Sequence, residues 1–213
     1  MLKVGFGVTR AQIIGGHDGI GRYTNELYRQ FSKLNDELDI YPFTLGGVNK
    51  IPQSTLESKA FKFSNYKLLM VFSTFTGLPF FGGSKFTGSL DIVHATDHYI
   101  PKVKNTPLVA SLMDAIPISH PEWTRPGLRS IKNYFWLRTA KWVDRVITCS
   151  DFSKMQISEN FHIPKDKINV VPLGVDIRWF HKVKESTIAN VIAKYQLKKD
   201  FFLFVGTLQP RKN

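Results

Sequence analysis

Short apolar runs alternate along this chain with segments in which apolar residues recur every three or four positions. Short apolar runs bounded by Gly, Pro or polar residues are typical of buried strands, and the longer spacing is typical of helices. The alternation predicts an α/β fold, in which helices wrap a parallel sheet on both faces. The predicted strands are residues 2–8, 38–43, 90–95, 108–112, 145–149 and 168–171.

The helical spacing is clearest in residues 20–33 and 127–143, each of which places large apolar residues on one face. A further helix is expected after residues 145–149. There Ser150 can accept a hydrogen bond from a free N–H of the first turn, and Asp151 suits the positive end of a helix. Residues 45–65 have no clear period and are interpreted as loops and edge elements.

The last residues predict another strand, 201–205, followed by a turn at Gly206 and the basic pair Arg211 and Lys212. A parallel strand that is covered on both faces needs neighbouring strands, and residues 199–213 supply none. We therefore expect residues 1–198 to form one complete domain. Residues 199–213 are expected to be the first strand and loop of a second, truncated domain.

The formal net charge is +12 and the sequence pI is about 9.8. Such an excess of positive charge favours polyanions, anionic lipids or phosphorylated ligands as partners, although surplus lysines also serve solubility alone. The basic residues are not interleaved with aromatic residues in a nucleic-acid-binding motif, so no nucleic acid partner is expected.

A single cysteine, Cys149, cannot form an internal disulfide and indicates a reducing compartment. The N-terminus lacks the charged, then apolar, leader of a signal peptide, and no run of about 18 apolar residues predicts a membrane span. We expect a cytoplasmic protein. Residues 66–81 form a shorter apolar stretch, interrupted by Gly77 and Pro79 and flanked by lysines. It is interpreted either as a core helix or as a peripheral contact with the inner face of the cell membrane.

Residues 15–23 form a glycine-rich loop that follows the first strand and opens a helix. Glycines at this position allow N–H groups at the helix start to approach a phosphate or a sugar hydroxyl. The spacing is not that of the dinucleotide fingerprint, which argues against a nicotinamide cofactor. The alternative is a flexible loop with no ligand.

Polar residues follow two other predicted strands. Thr96, Asp97 and His98 come after one, and Asp114 after the next, with His120 and Glu122 further along. Open α/β sheets bind ligands at the carboxyl ends of their strands, so these side chains are candidates for a ligand cleft. Ordinary surface loops are the alternative, and Asp114 could instead cap its own loop. No Cys or third His lies near enough in sequence to predict a metal site.

Taken together and in this order, five segments resemble the retaining GT-B glycosyltransferases of the glycogen-synthase-like class, also called glycosyltransferase group 1. The segments are residues 16–23, 91–94, 147–153, 171–176 and 204–213. Within that class the chain is most similar to bacterial mannosyltransferases of surface polysaccharide, including lipopolysaccharide. The resemblance implies the N-terminal half of a GT-B fold, in which two Rossmann-like domains face each other across a cleft.

The resemblance also implies a reaction. A hexose such as mannose would pass from a nucleotide diphosphate sugar to a polysaccharide or lipid-linked glycan, with retention at the anomeric carbon. The nucleotide sugar is a co-substrate, and neither a separate cofactor nor an obligatory metal is implied. The implied donor diphosphate site is Gly19, Ile20, Gly21, Arg211 and Lys212; the implied acceptor site is Arg22, Tyr23 and Asp97; the candidate catalytic residues are His98, Asp114 and His120.

One residue departs from the pattern of this class. Met113 stands where the class has a histidine that contacts the donor sugar, and a thioether can neither donate a hydrogen bond nor hold a proton. Either His98 or His120 takes over that role, or the enzyme is slow or inactive. Of the two histidines, His98 is favoured, because it lies at the carboxyl end of a predicted strand. The chain by itself is expected to be inactive. The rival interpretation is a non-catalytic module that binds a sugar or a polyanion.

Overall fold

The computed structural model describes residues 1–10, 18–46, 65–79, 88–123, 128–198 and 200–206, together with the backbone of 61–63. These residues divide into two compact units, Met1–Pro172 and Leu173–Asn213. The division falls earlier in the chain than the domain boundary predicted near residue 198. The assignment of residues 1–198 and 199–213 to an acceptor domain and the start of a donor domain stays a prediction.

The described part of the first unit is built on a seven-stranded sheet in the order β3-β2-β1-β4-β5-β6-β7. All neighbouring strands pair in parallel, which confirms the predicted α/β class. Only the short edge strand β3 was not predicted individually. The strands are β1 Leu2–Gly7, β2 Leu38–Leu45, β3 Phe61–Phe63, β4 Ile92–Ala95, β5 Leu108–Ser111, β6 Arg145–Thr148 and β7 Ile168–Val170.

The helices of this unit begin where the sequence provides a cap or an apolar face. Asp18 caps the first helix, and Ser150 accepts a hydrogen bond from the backbone N–H of Ser153 over 3.1 Å, as predicted. Gly77, in the left-handed conformation with φ of 74°, ends the second helix. The helices are α1 Gly19–Phe31, α2 Tyr66–Thr76, α3 Ile116–Ser119, α4 Arg129–Thr139 and α5 Asp151–Phe161.

The sheet is covered on both faces because successive side chains of a strand point to opposite sides. On one face, Phe6 of β1 packs its ring against Tyr28 and Phe31 of α1, with ring centroids 5.9 and 5.8 Å apart. On the other face, a continuous buried cluster joins the remaining strands to helices α2 and α5. Its largest fully buried members include Phe43, Leu45, Ile100, Leu108, Ile157 and Phe161.

The second unit contains a 3₁₀ turn, Ile177–Phe180, and helix α6, Glu185–Tyr195. The apolar residues of α6 are exposed, and so is the segment at 201–205, where Phe202 is fully accessible. The structure shows no strand at 201–205, where the sequence predicts one. A parallel strand forms only when a neighbour supplies backbone partners, and the described residues of this unit contain no other strand.

Two aspartates fasten the amino ends of neighbouring strands in the same way. Asp91, just before β4, accepts a hydrogen bond from the backbone N–H of Lys3 over 2.8 Å, and its own N–H donates to the Lys3 carbonyl over 2.9 Å. Asp144, just before β6, makes the same pair of contacts with Leu108, over 2.8 and 2.9 Å. Each carboxylate thus extends its parallel ladder by one charge-assisted bond.

We expect Asp144→Ala to lower the free energy of unfolding by about 1–2 kcal/mol, because the N–H of buried Leu108 loses its acceptor. Asp144→Asn keeps an acceptor oxygen and should cost less than the alanine variant. Urea titrations followed by circular dichroism measure both, with the exposed Asp36→Ala as the matched control. Equal stability of Asp144→Ala and the control would show that the hydrogen bond from the Leu108 N–H to Asp144 contributes nothing to stability.

Candidate functional site

The loops that follow β1, β4 and β5 meet at one edge of the sheet, because these strands are parallel neighbours. They bring together Arg10, Asp97, His98 and Asp114, and the start of α1 adds Asp18. Arg10 and Asp18 act electrostatically on Asp97, and Asp114 and Arg10 act on His98. We refer to these five residues as the carboxyl-edge cluster.

The N-terminus of α1 already holds a carboxylate. Asp18 forms an ion pair with Arg10, and its Oδ1 accepts a hydrogen bond from the backbone N–H of Gly21 over 2.7 Å. Among the described residues, a Cβ added at the exposed Gly19 would meet no atom within 4 Å. An anion that binds at this helix end must therefore compete with Asp18 for the N–H of Gly21.

Asp97 is the most perturbed acid of the cluster. It is buried, its Oδ1 accepts a hydrogen bond from the N–H of Tyr99 over 2.8 Å, and its Oδ2 has no partner in the described part of the chain. Burial raises the pKa of Asp97 to about 7, although the Tyr99 N–H and the Arg10 charge act in the opposite direction. Near neutral pH its carboxyl group is therefore present in both the neutral and the charged form, and it can donate or accept a hydrogen bond.

His98 lies between two aromatic rings. It stacks on Trp136 of α4 with centroids 4.6 Å apart and on Phe161 of α5 with centroids 5.9 Å apart. Burial lowers the pKa of His98 to about 4, and the nearby Asp114 offsets only part of this effect. The imidazole is therefore neutral at pH 7. It can exchange a hydrogen bond with a ligand but cannot supply a positive charge.

Asp114 caps its own loop, which is the alternative that the sequence left open. Its Oδ1 accepts a hydrogen bond from the N–H of Ile116 over 3.1 Å at the start of α3. The preceding residue, Met113, is only partly buried, and its carbonyl accepts a weak bond from the Cys149 thiol over 3.7 Å. The partly buried Cys149 sulfur also lies 3.8 Å from the Ser153 hydroxyl oxygen.

His120 makes its contacts outside the cluster. Its ring stacks on Trp123 with centroids 4.0 Å apart, and its Nδ1 lies 3.2 Å from Oε1 of Glu122. In the part of the chain that the structure describes, these contacts keep His120 at the 3₁₀ turn Pro121–Trp123. His98 is thus the histidine that shares the electrostatic environment of Asp114, and a catalytic role for either histidine stays a prediction.

A second set of polar contacts connects α1 to the sheet below the cluster, and the sequence did not reveal it as a unit. Ser111 of β5 shares its hydroxyl with the Tyr23 hydroxyl over 2.9 Å and with Nε2 of His94 over 2.8 Å. Burial raises the pKa of Tyr23 and lowers that of His94 to about 4. In the sequence, His94 and Ser111 are single polar residues in two predicted strands. That pattern does not show that their side chains lie on the same face of the sheet.

The other predicted site residues are distributed unevenly. Arg22 is exposed on α1, whereas residues 11–17, Arg211 and Lys212 lie outside the described residues.

The described side chains contain no group of three or more His, Cys, Asp or Glu placed to hold a metal ion. No helix within the described ranges has the length and apolar character needed to cross a membrane. The roles assigned to these residues, and a cytoplasmic location, stay predictions.

An open parallel sheet with charged loops at its carboxyl edge defines the Rossmann-like class of ligand-binding α/β folds. Comparison with known families identifies the particular one. Residues 17–179 match the family described as Glycosyltransferase Family 4, which covers most of the chain. The chain therefore belongs to Glycosyltransferase Family 4.

Similar proteins come from bacteria. The chain is 33% identical over 69 residues to the O-antigen chain mannosyltransferase B of Escherichia coli, which covers 32% of this chain and 18% of that protein. Sucrose-phosphate synthase from Thermosynechococcus elongatus has the same fold, with a TM-score of 0.60, 10% identity, and coverage of 94% of this chain and 54% of that one. Anabaena HepE in complex with UDP has a TM-score of 0.43 and 13% identity, with coverage of 92% and 50%. The chain thus spans about half or less of each of these proteins.

The buried Asp97 predicts a pH dependence of stability. Because its pKa is raised in the folded state, the folded protein holds this proton more tightly, so stability falls as pH rises from about 4 to about 7. His94 and His98, whose pKa values are lowered, act in the opposite sense over a similar range. The two histidines are common to the parent and to Asp97→Asn, so a comparison of the two proteins isolates the contribution of Asp97 to the pH dependence of stability.

Asp97→Asn keeps an acceptor for the Tyr99 N–H and removes the ionisable group. We compare the free energy of unfolding of the variant with that of the parent. As pH rises from about 5 to about 7.5, this difference should shift in favour of the variant by about 2 kcal/mol. Urea titrations at both pH values measure this, and the exposed Asp36→Asn should follow the parent. A constant difference between Asp97→Asn and the parent across the range would show that Asp97 titrates at an ordinary pKa.

Proposed function

We propose that this chain is the acceptor-binding half of a glycosyltransferase that moves a hexose from a nucleotide diphosphate sugar to a polysaccharide or lipid-linked glycan. The observation that carries the proposal is membership of Glycosyltransferase Family 4 on a sheet whose carboxyl edge gathers the charged cluster. The match to an O-antigen chain mannosyltransferase supports mannose as the sugar and a surface polysaccharide as the acceptor. Retention at the anomeric carbon is proposed from the resemblance to the glycogen-synthase-like class.

The helix start is proposed to receive the donor diphosphate. Backbone N–H groups at Gly19, Ile20 and Gly21 point out of the N-terminus of α1, where the helix dipole favours negative charge. Arg10 adds a guanidinium that now pairs with Asp18. A diphosphate would replace the Asp18 carboxylate as the partner of the Gly21 N–H and of the Arg10 guanidinium. The sequence also assigns Arg211 and Lys212 to this role.

The acceptor is proposed to meet Asp97. The Oδ2 atom of this buried carboxyl lacks a partner in the described residues, and an unpaired buried oxygen is costly unless a ligand or water satisfies it. A sugar hydroxyl fits this need, because a half-protonated carboxyl can accept from it or donate to it. Tyr23, whose hydroxyl is held by Ser111, would then act by positioning α1 rather than by touching the sugar.

The histidine missing at position 113 is proposed to be compensated by His98. Among the two candidates, His98 is the one that shares the environment of Asp114 in the cluster. Its neutral ring could donate one hydrogen bond to charge that develops during transfer. His120 is occupied by Trp123 and Glu122.

His98→Phe tests this role, because it keeps an aromatic ring between Trp136 and Phe161 and removes both ring nitrogens. In the full-length gene product we expect a loss of about a hundredfold in transfer rate, the effect of one hydrogen-bond donor worth on the order of 3 kcal/mol. The melting temperature should be unchanged. Steady-state rates with a panel of nucleotide sugars measure the effect, and His120→Phe is the matched control.

Met113→His completes the set of variants. If His98 already fills the role, this change leaves the rate nearly unaltered. If position 113 is the reaction centre and is uncompensated, the rate rises by about a hundredfold. The rival function, a sugar- or polyanion-binding module without catalysis, is favoured by the thioether at Met113. Acceptor binding with no transfer by the full-length protein or by any of these variants would establish that rival.

A further inference from the structure

Helices α2 and α4 pack against each other in the first unit, and each carries exposed apolar side chains. In α2, Leu68, Phe72 and Phe75 are spaced by four and three residues, which places them on one helix face. All three are exposed, Leu68 by 69% and Phe75 by 70%. Large apolar side chains at such exposure are unfavourable in water, so their alignment on one face calls for an explanation.

The opposite face of α2 belongs to the core. Tyr66 and Ser73 are buried, and Leu69 and Met70 pack against the apolar cluster under the sheet. The helix is therefore anchored by one face and presents the other. For the described residues 66–79, the predicted core helix is present along one face of α2. The predicted peripheral contact with a membrane stays a prediction.

Helix α4 carries exposed apolar residues of its own. Ile131 and Tyr134 of α4 are exposed, and Leu128, just before the helix, is 71% exposed. Trp136 and Leu137 pack against the core, so α4 is also anchored by one side. We define the docking surface as the exposed residues Leu68, Phe72, Phe75, Leu128, Ile131 and Tyr134.

The two segments that carry this surface are basic, and the nearest described acid is the exposed Glu122, whose charge interacts with that of Arg129. Residues 65–79 and 128–143 contain five basic residues and no Asp or Glu. Lys67, Lys132, Arg138 and Lys141 are exposed, and the Arg138 guanidinium lies 5.3 Å from the centre of the Tyr134 ring. The fifth basic residue is Arg129. Exposed apolar residues and exposed cations on the same two segments favour a partner surface that is both apolar and anionic.

We propose that the docking surface binds the interface of an anionic lipid bilayer. Apolar side chains of α2 and α4 would enter the boundary between headgroups and acyl chains while the surrounding lysines and arginines meet the lipid phosphates. A second copy of the chain is a poor occupant, because a symmetric contact would bring two sets of four exposed cations together. The proposal goes beyond the transfer reaction and does not depend on the sugar or the acceptor.

Flotation of the full-length gene product with lipid vesicles tests the proposal without measuring sugar transfer. We expect binding to vesicles of phosphatidylcholine with phosphatidylglycerol, weak binding to phosphatidylcholine alone, and a loss of binding when salt is raised, because salt screens the attraction. No binding to the anionic vesicles at low salt would overturn the proposal. Equal binding to neutral vesicles would also overturn it, because the exposed lysines and arginines beside the docking surface would then have no role.

Two pairs of substitutions localise the contact. Leu68→Ser with Phe75→Ser should lower the partition coefficient by at least about tenfold, because two apolar side chains no longer enter the interface. Lys67→Gln with Lys132→Gln should lower it by about fivefold per lysine, the factor equivalent to about 1 kcal/mol for each basic residue near an anionic surface. All four residues are exposed, so the variants should retain the melting temperature of the parent.

Matched controls lie elsewhere on the same unit. Phe152→Ser with Met155→Ser removes exposed apolar side chains of α5, where Phe152 is 67% exposed, and Lys33→Gln with Lys165→Gln removes two exposed lysines. Both controls should bind vesicles like the parent. If the controls lose as much binding as the test variants, the attraction is general and the docking surface is refuted. Self-association that Phe75→Ser abolishes would likewise refute it, in favour of a second copy.

Discussion

Parallel pairing between β1 and β4 is the constraint on which the rest of the structure depends. These strands are far apart in sequence, and their register sets Val4 beside Ile92 and Phe6 beside His94. Thr96 then donates a hydrogen bond to the Gly7 carbonyl over 2.8 Å, which closes the strand ends together. A side chain at Gly7 would begin 3.3 Å from the His94 carbonyl, so glycine permits this close approach.

Burial at that edge acts on acids and bases in opposite directions. It raises the pKa of Asp97 to about 7 and lowers the pKa values of His94 and His98 to about 4. The common cause is the cost of holding a charge away from water. The inner part of the site thus favours neutral hydrogen-bonding groups, and the formal charges of Arg10 and Asp18 remain at its more exposed rim.

The sequence predicted the fold well because local patterns determine most of it. Apolar runs located six of the seven strands, and Ser150 marked the start of α5 through cap chemistry that acts within a few residues. The predicted strand at 201–205 does not form, because a strand also requires partners that no local pattern can supply. Edge strand β3 is three residues long, too short for a periodic signal.

The site was predicted less completely. Position after a strand was enough to select Asp97, His98 and Asp114, because parallel strands share a carboxyl edge. It could not show that His98 is stacked between Trp136 and Phe161, since those rings come from helices distant in sequence. Its place at the carboxyl end of a strand favoured His98 over His120 in the sequence, but the sequence could not show that the ring of His120 stacks on Trp123.

The carboxylate of Asp18 has a consequence for how tightly the helix end can hold a ligand. It acts as an internal competitor: when no ligand is bound, it already accepts a hydrogen bond from the Gly21 N–H and pairs with one terminal nitrogen of the Arg10 guanidinium. An incoming anion gains only the difference between its own contacts and the cap that it replaces. Losing a cap costs about 1 kcal/mol, which corresponds to roughly a fivefold weaker affinity. The same exchange would speed dissociation of the anion, because the Asp18 carboxylate can return to the Gly21 N–H and to Arg10 as the anion leaves.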